Sequence, residues 1–261
     1  MCGRVLGAMP RASRYLRRGY TFHLTHRCHD RRFLLKFARD REVYREWLRV
    51  AVHRYHIPVY GFCITSNHVH VVVHVDDPER VGRMMQLVSG AFAAHRNRRK
   101  GEEGAVWEHP YQCTIIQDGQ HLLHCLRYVD LNMVRAGVVA HPALWRWCGY
   151  DELAGKRVRY RTLDLDRLLE SLGMSSVDDY RRVHEEGIEE SIRRRALARQ
   201  AEWTEALAVG NLQFIERMGS IYVSRRKFTY AEVGTSPGLS TWTVHEAGAS
   251  YGSFSGVKTG L

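Results

Sequence analysis

Between residues 19 and 137 the hydrophobic period changes several times, and each change marks an element. "GYTFHLTHRC" (19–28) alternates and is rich in strand formers, which predicts a strand. "DREVYREWLRVAVHRYH" (40–56) puts Val43, Trp47, Val50, Ala51 and Arg54 at helical spacing, predicting an amphipathic helix with a basic outer face. Pro58 ends it, and "VYGFCIT" opens a second strand. Ser66 and Asn67 suit a tight turn, and "HVHVVVHV" (68–75) predicts a third strand. Pro78 suits the first position of the next helix, "PERVGRMMQLVSGAFAAHRNRRK". After the polar loop "KGEEG", "AVWEHPYQCTIIQ" (105–117) reads as a fourth strand, with Pro110 at an edge or bulge. Asp118 suits the N-cap, and Gly137 the C-cap, of a third helix, "GQHLLHCLRYVDLNMVRAG" (119–137).

The predicted order is β-α-β-β-α-β-α. Up to the fourth strand this is the split β-α-β, or ferredoxin-like, order of an α+β fold. One antiparallel sheet would carry two helices on one face, with the third helix packed elsewhere near the sheet. The core is expected over 19–140, preceded by a basic arm at 1–18. Beyond residue 140 the pattern loosens into short helical stretches, "LDLDRLLESLG", "VDDYRRVHEEGIEESIRRRALARQAEW" and "EALAVGNLQFIERMG", read as a helical extension over 141–219. Residues 220–261, rich in Gly, Ser and Thr without apolar periodicity, are expected to form a flexible tail.

Composition narrows the class. No run of 18 apolar residues occurs among the 261, so no membrane span is expected, and the N-terminus has no apolar run of a secretory signal. The six cysteines are scattered without a CxxC pair, as expected of reduced thiols in a cytoplasmic protein. The net charge of +11, carried mostly by arginine clusters, is the footprint of a polyanion binder.

The third strand raises a chemical question. Residues two apart on a strand share a face, so His68 and His70 project in parallel, suiting one metal ion. Half-exposed histidines with no such role are the competing reading. The pairs His23/His26, His26/His29 and His121/His124 show how cheap such coincidences are in a chain with 15 histidines. A third candidate ligand comes from "LRYVDLNMVRAG", where Tyr128 and Asn132 are four apart and share a helix face. Two neutral imidazoles and a carbonyl would leave a divalent cation strongly Lewis acidic toward phosphate.

"SNHVHVVV" followed by "LRYVDLNMVRAGVV" resembles the single-tyrosine HUH transposases of the insertion-sequence transposase-like superfamily. "HPALWRWCGYDELAG" and the long tail look most like the REP-associated tyrosine transposase branch. The resemblance covers roughly residues 15–155. Met133 stands where many relatives have proline, and Thr65-Ser66 where many have Met-Pro. The resemblance implies that Tyr128 attacks single-stranded DNA, giving a 5′-phosphotyrosine and a free 3′-OH, with His68, His70 and Asn132 holding Mg²⁺ or Mn²⁺. It also implies hairpin-bearing DNA as partner, and a monomer or homodimer. A rolling-circle initiator or relaxase-like nickase shares this chemistry, and a non-catalytic DNA-binding derivative is the alternative outside enzymes. For DNA contact the expected groups are Arg14, Arg17 and Arg18 of the basic arm, Arg96, Arg98 and Arg99 ending the second helix, and Tyr15 and Trp107 for base stacking.

Overall fold

The computed structural model describes residues 16–222, 228–236 and 239–246. In chain order the elements are β1 (Tyr20–Arg27), α1 (Ala38–Tyr55), β2 (Val59–Ile64), β3 (His68–Val75), α2 (Pro78–Lys100), β4 (Gln112–Ile116), α3 (Gln120–Asp130), α4 (Asn132–Arg135) and α5 (Tyr150–Leu153). Then follow α6 (Leu165–Leu172), α7 (Val177–Arg193), α8 (Glu202–Glu205), β5 (Ala208–Gly210), α9 (Leu212–Tyr222), β6 (Phe228–Ser236) and β7 (Leu239–Glu246). The fold is α+β. Among the described residues, one sheet runs β2-β3-β1-β4-β5-β7-β6.

Its first four strands are antiparallel neighbours in the ferredoxin-like order expected from the sequence. Alternation gives them two different faces. On one face lie Phe22 and Leu24 of β1 and Val69, Val71, Val73 and Val75 of β3, all buried. His26 shares that face and stacks on Trp107, which also meets Tyr44 of α1 and Phe92 of α2. Helices α1 and α2 therefore cover this side, and each buried Val, Leu or Phe there contributes roughly 1.5–3 kcal/mol. The α1 stripe is shifted from the one read in the sequence: Tyr44, Leu48, Ala51 and Val52 are buried, whereas Val43 and Trp47 are only partly so.

The opposite face carries Gly61 and Cys63 of β2, His70 of β3, and Thr21, His23 and Thr25 of β1. Helix α3 lies on it. A Cβ at Gly61 would come 2.8 Å from Leu126 Cδ2, so glycine is what lets the helix approach β2 this closely.

Five local expectations change. The fourth strand is confined to Gln112–Ile116, and Trp107 makes only an isolated bridge to Cys28. Asp118 does not cap α3: the N-cap position is Gly119, and Asp118 instead accepts a 2.6 Å bond from Thr21 Oγ1. The third helix is interrupted at Leu131 (φ −73°, ψ 0°), so α3 and α4 are separate turns. The stretch read as a flexible tail over 220–261 contains β6 and β7, a hairpin that pairs through β7 with β5. The β5 segment itself had read as helix. A sheet edge supplied by tertiary structure decides such short strands, and local composition does not record it. Among the described cysteines, Cys28, Cys63, Cys125 and Cys148 are buried free thiols and Cys113 is partly buried.

Candidate active site

His68 and His70 project from β3 on the face covered by α3, with ring centroids 4.8 Å apart. They are not a matched half-exposed pair. His70 is 1% exposed beneath α3, and only His68, at the strand end, keeps partial exposure. Asn67 Oδ1 lies 2.7 Å from His68 Nδ1 and takes that N–H. Thr65 Oγ1 is 3.0 Å from the same nitrogen. The neutral ring then carries its lone pair on Nε2.

Helix α3 brings Tyr128 to the histidines. Its ring centroid is 6.0 Å from that of His70, and the side chain is buried. One turn later, past the break at Leu131, Asn132 Nδ2 lies 2.9 Å from His70 Nε2. The structure brings His70, Tyr128 and Asn132 together on this face, with His68 beside His70.

Three neighbours were not singled out from the sequence. Arg135, within the "VRAG" stretch, sets its guanidinium 3.9 Å over the Tyr128 ring and donates a 2.8 Å bond to the Tyr128 carbonyl. His23, dismissed among the coincidental histidines, lies 2.8 Å through Nε2 from His70 Nδ1. Trp203 of α8 accepts a 2.7 Å bond at its carbonyl from His23 Nδ1, and its ring sits 6.3 Å from that of Tyr128. Only cross-strand alternation carried a signal for His23: it faces the same side as Thr25, the register partner of His70. Nothing local pointed to Trp203, 180 residues from His23.

Burial dominates the electrostatics. It pushes His68 down to about 3, aided by the charges of Arg27 and Arg135, pushes His23 down to about 4, and holds His70 well below the usual range. All three imidazoles are neutral at pH 7, the state a metal ligand needs. Burial raises the Tyr128 phenol, and the charge of Arg135 opposes that rise. Among the described residues no group of three or more His, Cys, Asp or Glu is placed to hold a metal ion. The set here is two imidazoles and an amide. It fits a divalent ion because Asn132 already abuts His70 Nε2, and turning the amide over presents Oδ1 instead of Nδ2.

The DNA-contact residues divide. Arg17, Arg18 and Arg98 are exposed. Arg96 is not available: it is 7% exposed and ion-paired with Glu102 at 2.9 Å. Arg99 is turned onto the buried carboxylate of Asp40. Trp107 is a packing residue, stacked 4.1 Å from His26 and donating Nε1–H to the Ser89 carbonyl at 3.0 Å. Arg96 and Arg99 are thus turned onto carboxylates of the protein, and Trp107 is packed against the sheet and α2. Arg14 and Tyr15 lie outside the described residues.

The site is thus an antiparallel ferredoxin-like sheet with two histidines on its third strand and a tyrosine-bearing helix laid across that face. Residues 17–132 match the family described as transposase IS200 like. Among solved structures, one described as the structure of the REP associates tyrosine transposase bound to a REP hairpin is similar, at 15% identity, covering 62% of this chain and 86% of that one, with a TM-score of 0.44. No curated protein matches the chain. No helix among the described residues is long and apolar enough to cross a membrane.

Proposed function

We propose that this transposase domain cleaves and rejoins single-stranded DNA through Tyr128. The observation that carries the reading is the convergence of Tyr128, His68, His70 and Asn132 on one face of the sheet, 6.0 Å between the Tyr128 and His70 rings. The Tyr128 oxygen attacks a backbone phosphorus, forming a 5′-phosphotyrosine and releasing a 3′-OH. One ester replaces another, so the 3′-OH can attack the phosphotyrosine and reseal the strand without ATP. Arg135, stacked on the ring, favours the phenolate that burial disfavours.

His68 Nε2, His70 Nε2 and Asn132 Oδ1 would hold the divalent ion, Mg²⁺ or Mn²⁺. Bound there, it would polarise the scissile phosphate and stabilise the leaving oxygen. Hairpin-bearing single-stranded DNA is the proposed substrate, positioned on phosphates by Arg17, Arg18 and Arg98.

The test is covalent trapping. The full chain, Mn²⁺ and a hairpin-bearing oligonucleotide should give an adduct whose nucleotide maps to the peptide containing "YVDLNMVR". Tyr128→Phe should form none. An adduct mapping to another peptide, or equal cleavage of intact duplex, would overturn the reading.

A further inference from the structure

The structure assigns His23 a positioning role: it relays the Trp203 carbonyl to His70 and so fixes which nitrogen of His70 is available as a ligand. This deepens the proposed function and rests on its assignment of His70 as a ligand.

The relay follows from what each atom can do. A backbone carbonyl only accepts, so the 2.7 Å contact of Trp203 O with His23 Nδ1 requires a proton on that nitrogen. In a neutral ring His23 Nε2 must then be an acceptor. The 2.8 Å contact to His70 Nδ1 therefore requires the His70 proton on Nδ1. His70 Nε2 is left with the lone pair, on the side where Asn132 lies at 2.9 Å. The alternative acceptor for His70 Nδ1, Thr25 Oγ1, is 3.5 Å away and too distant to substitute. The two ring planes are inclined by only 26° with centroids 4.9 Å apart, the near-coplanar, edge-to-edge arrangement an N–H···N bond needs, and both His23 and His70 are 1% exposed, so water does not compete for these bonds.

A free imidazole in water favours no such arrangement strongly. A His70 with its proton on Nε2 would face the metal position with a donor and could not ligate. Outer partners of ligand histidines normally are carboxylates, carbonyls or waters, and their loss costs roughly 10–100-fold in metal affinity or activity. Here a second histidine is inserted between the ligand and the carbonyl. The carbonyl belongs to α8, beyond the residues 17–132 that match the transposase family. The segment around Trp203 is in this way part of the ligand geometry: Thr114 Oγ1 of β4 also donates to the Ala206 carbonyl at 2.7 Å, docking the same segment on the same face.

Two substitutions separate the relay from packing. His23→Phe keeps an aromatic ring and removes both nitrogens; His23→Gln keeps an acceptor where Nε2 was. The first readout is ¹⁵N NMR of the metal-free full chain labelled at histidine. Wild type and His23→Gln should show His70 protonated at Nδ1 only, and His23→Phe a mixture of tautomers. The second readout is the Mn²⁺ dependence of adduct formation. His23→Phe should need roughly 10–100-fold more Mn²⁺ for half-maximal adduct, and His23→Gln should recover most of that loss. A wild-type His70 carrying its proton on Nε2, or a His23→Phe chain with wild-type Mn²⁺ dependence, overturns the relay. His70→Ala that still forms adduct at the wild-type rate overturns the ligand assignment itself, whatever the tautomer measurement gives.

Discussion

The same strands present two unlike faces. Toward α1 and α2, β1 and β3 present Phe22, Leu24 and Val69 to Val75 in alternation, a face held by apolar contact. Toward α3 and α8 they present Thr21, His23, Thr25 and His70, a face held by hydrogen bonds between polar groups that are themselves buried. The first face tolerates loss of any one contact in proportion to the area lost. The second depends on direction: Thr21 donates to Asp118, His23 to the Trp203 carbonyl and His70 to His23, and removing one group leaves its partner unpaired. Apolar packing is concentrated on one side and the proposed site on the other, with Gly61 setting how closely α3 approaches that side.

The comparison is broken most sharply by one substitution on each face. Phe62→Ala, opposite Val71 and fully buried, should cost about 3–5 kcal/mol of unfolding free energy. Tyr128→Phe should change stability by roughly 1 kcal/mol or less while removing the adduct entirely. Urea unfolding of both variants beside the trapping assay reads the contrast. A Tyr128→Phe chain as unstable as Phe62→Ala would mean that the two faces are not energetically distinct.

A pH series gives the next largest effect. Burial takes His26, on the apolar face, down to about 4 from an ordinary 6.5. The unfolded chain then binds a proton that the folded chain refuses. Stability therefore rises with pH between about 4 and 6.5 and is lost as pH falls through that window, by on the order of 3 kcal/mol for this group. His23 and His68 act in the same direction from the other face. His26→Phe should retain the stack on Trp107 and flatten part of the slope. Unfolding midpoints that respond to pH identically in wild type and variant would remove His26 from the account.

Gly61→Ala should cost about 1–3 kcal/mol, because the new methyl meets Leu126 Cδ2 and pushes α3 away from β2. Adduct yield should fall as Tyr128 is carried off His70. Adding Leu126→Ala should restore part of the adduct; no restoration by the double variant would place the effect elsewhere.

The smallest effects are expected at the surface. Arg18→Ala and Arg98→Ala should each weaken single-stranded DNA binding by on the order of 1 kcal/mol or less and make it less steeply salt-dependent. Arg96→Ala should act instead on stability, since its side chain is buried against Glu102. Thermal melts and binding at two salt concentrations distinguish these outcomes.

The strands and helices through α2, the ferredoxin-like order, and the sharing of one face by His68 with His70 and by Tyr128 with Asn132 were legible in the sequence, because period-two and helical spacing are local properties. Tertiary structure alone decided the rest. Arg96 and Trp107 read as DNA contacts until α2 was seen lying against its neighbours, because exposure depends on what packs over a residue and not on its type. β6 and β7 exist as strands because β5 offers an edge, and β5 is itself a strand because β4 lies beside it. His23 became a neighbour of His70 through register between strands 47 residues apart, and Trp203 through the docking of a segment 180 residues from His23. Periodicity within a window of a few turns carries no record of contacts at that separation. Only the packed chain does, because the hydrogen bonds that fix these side chains form where water has been excluded from both partners.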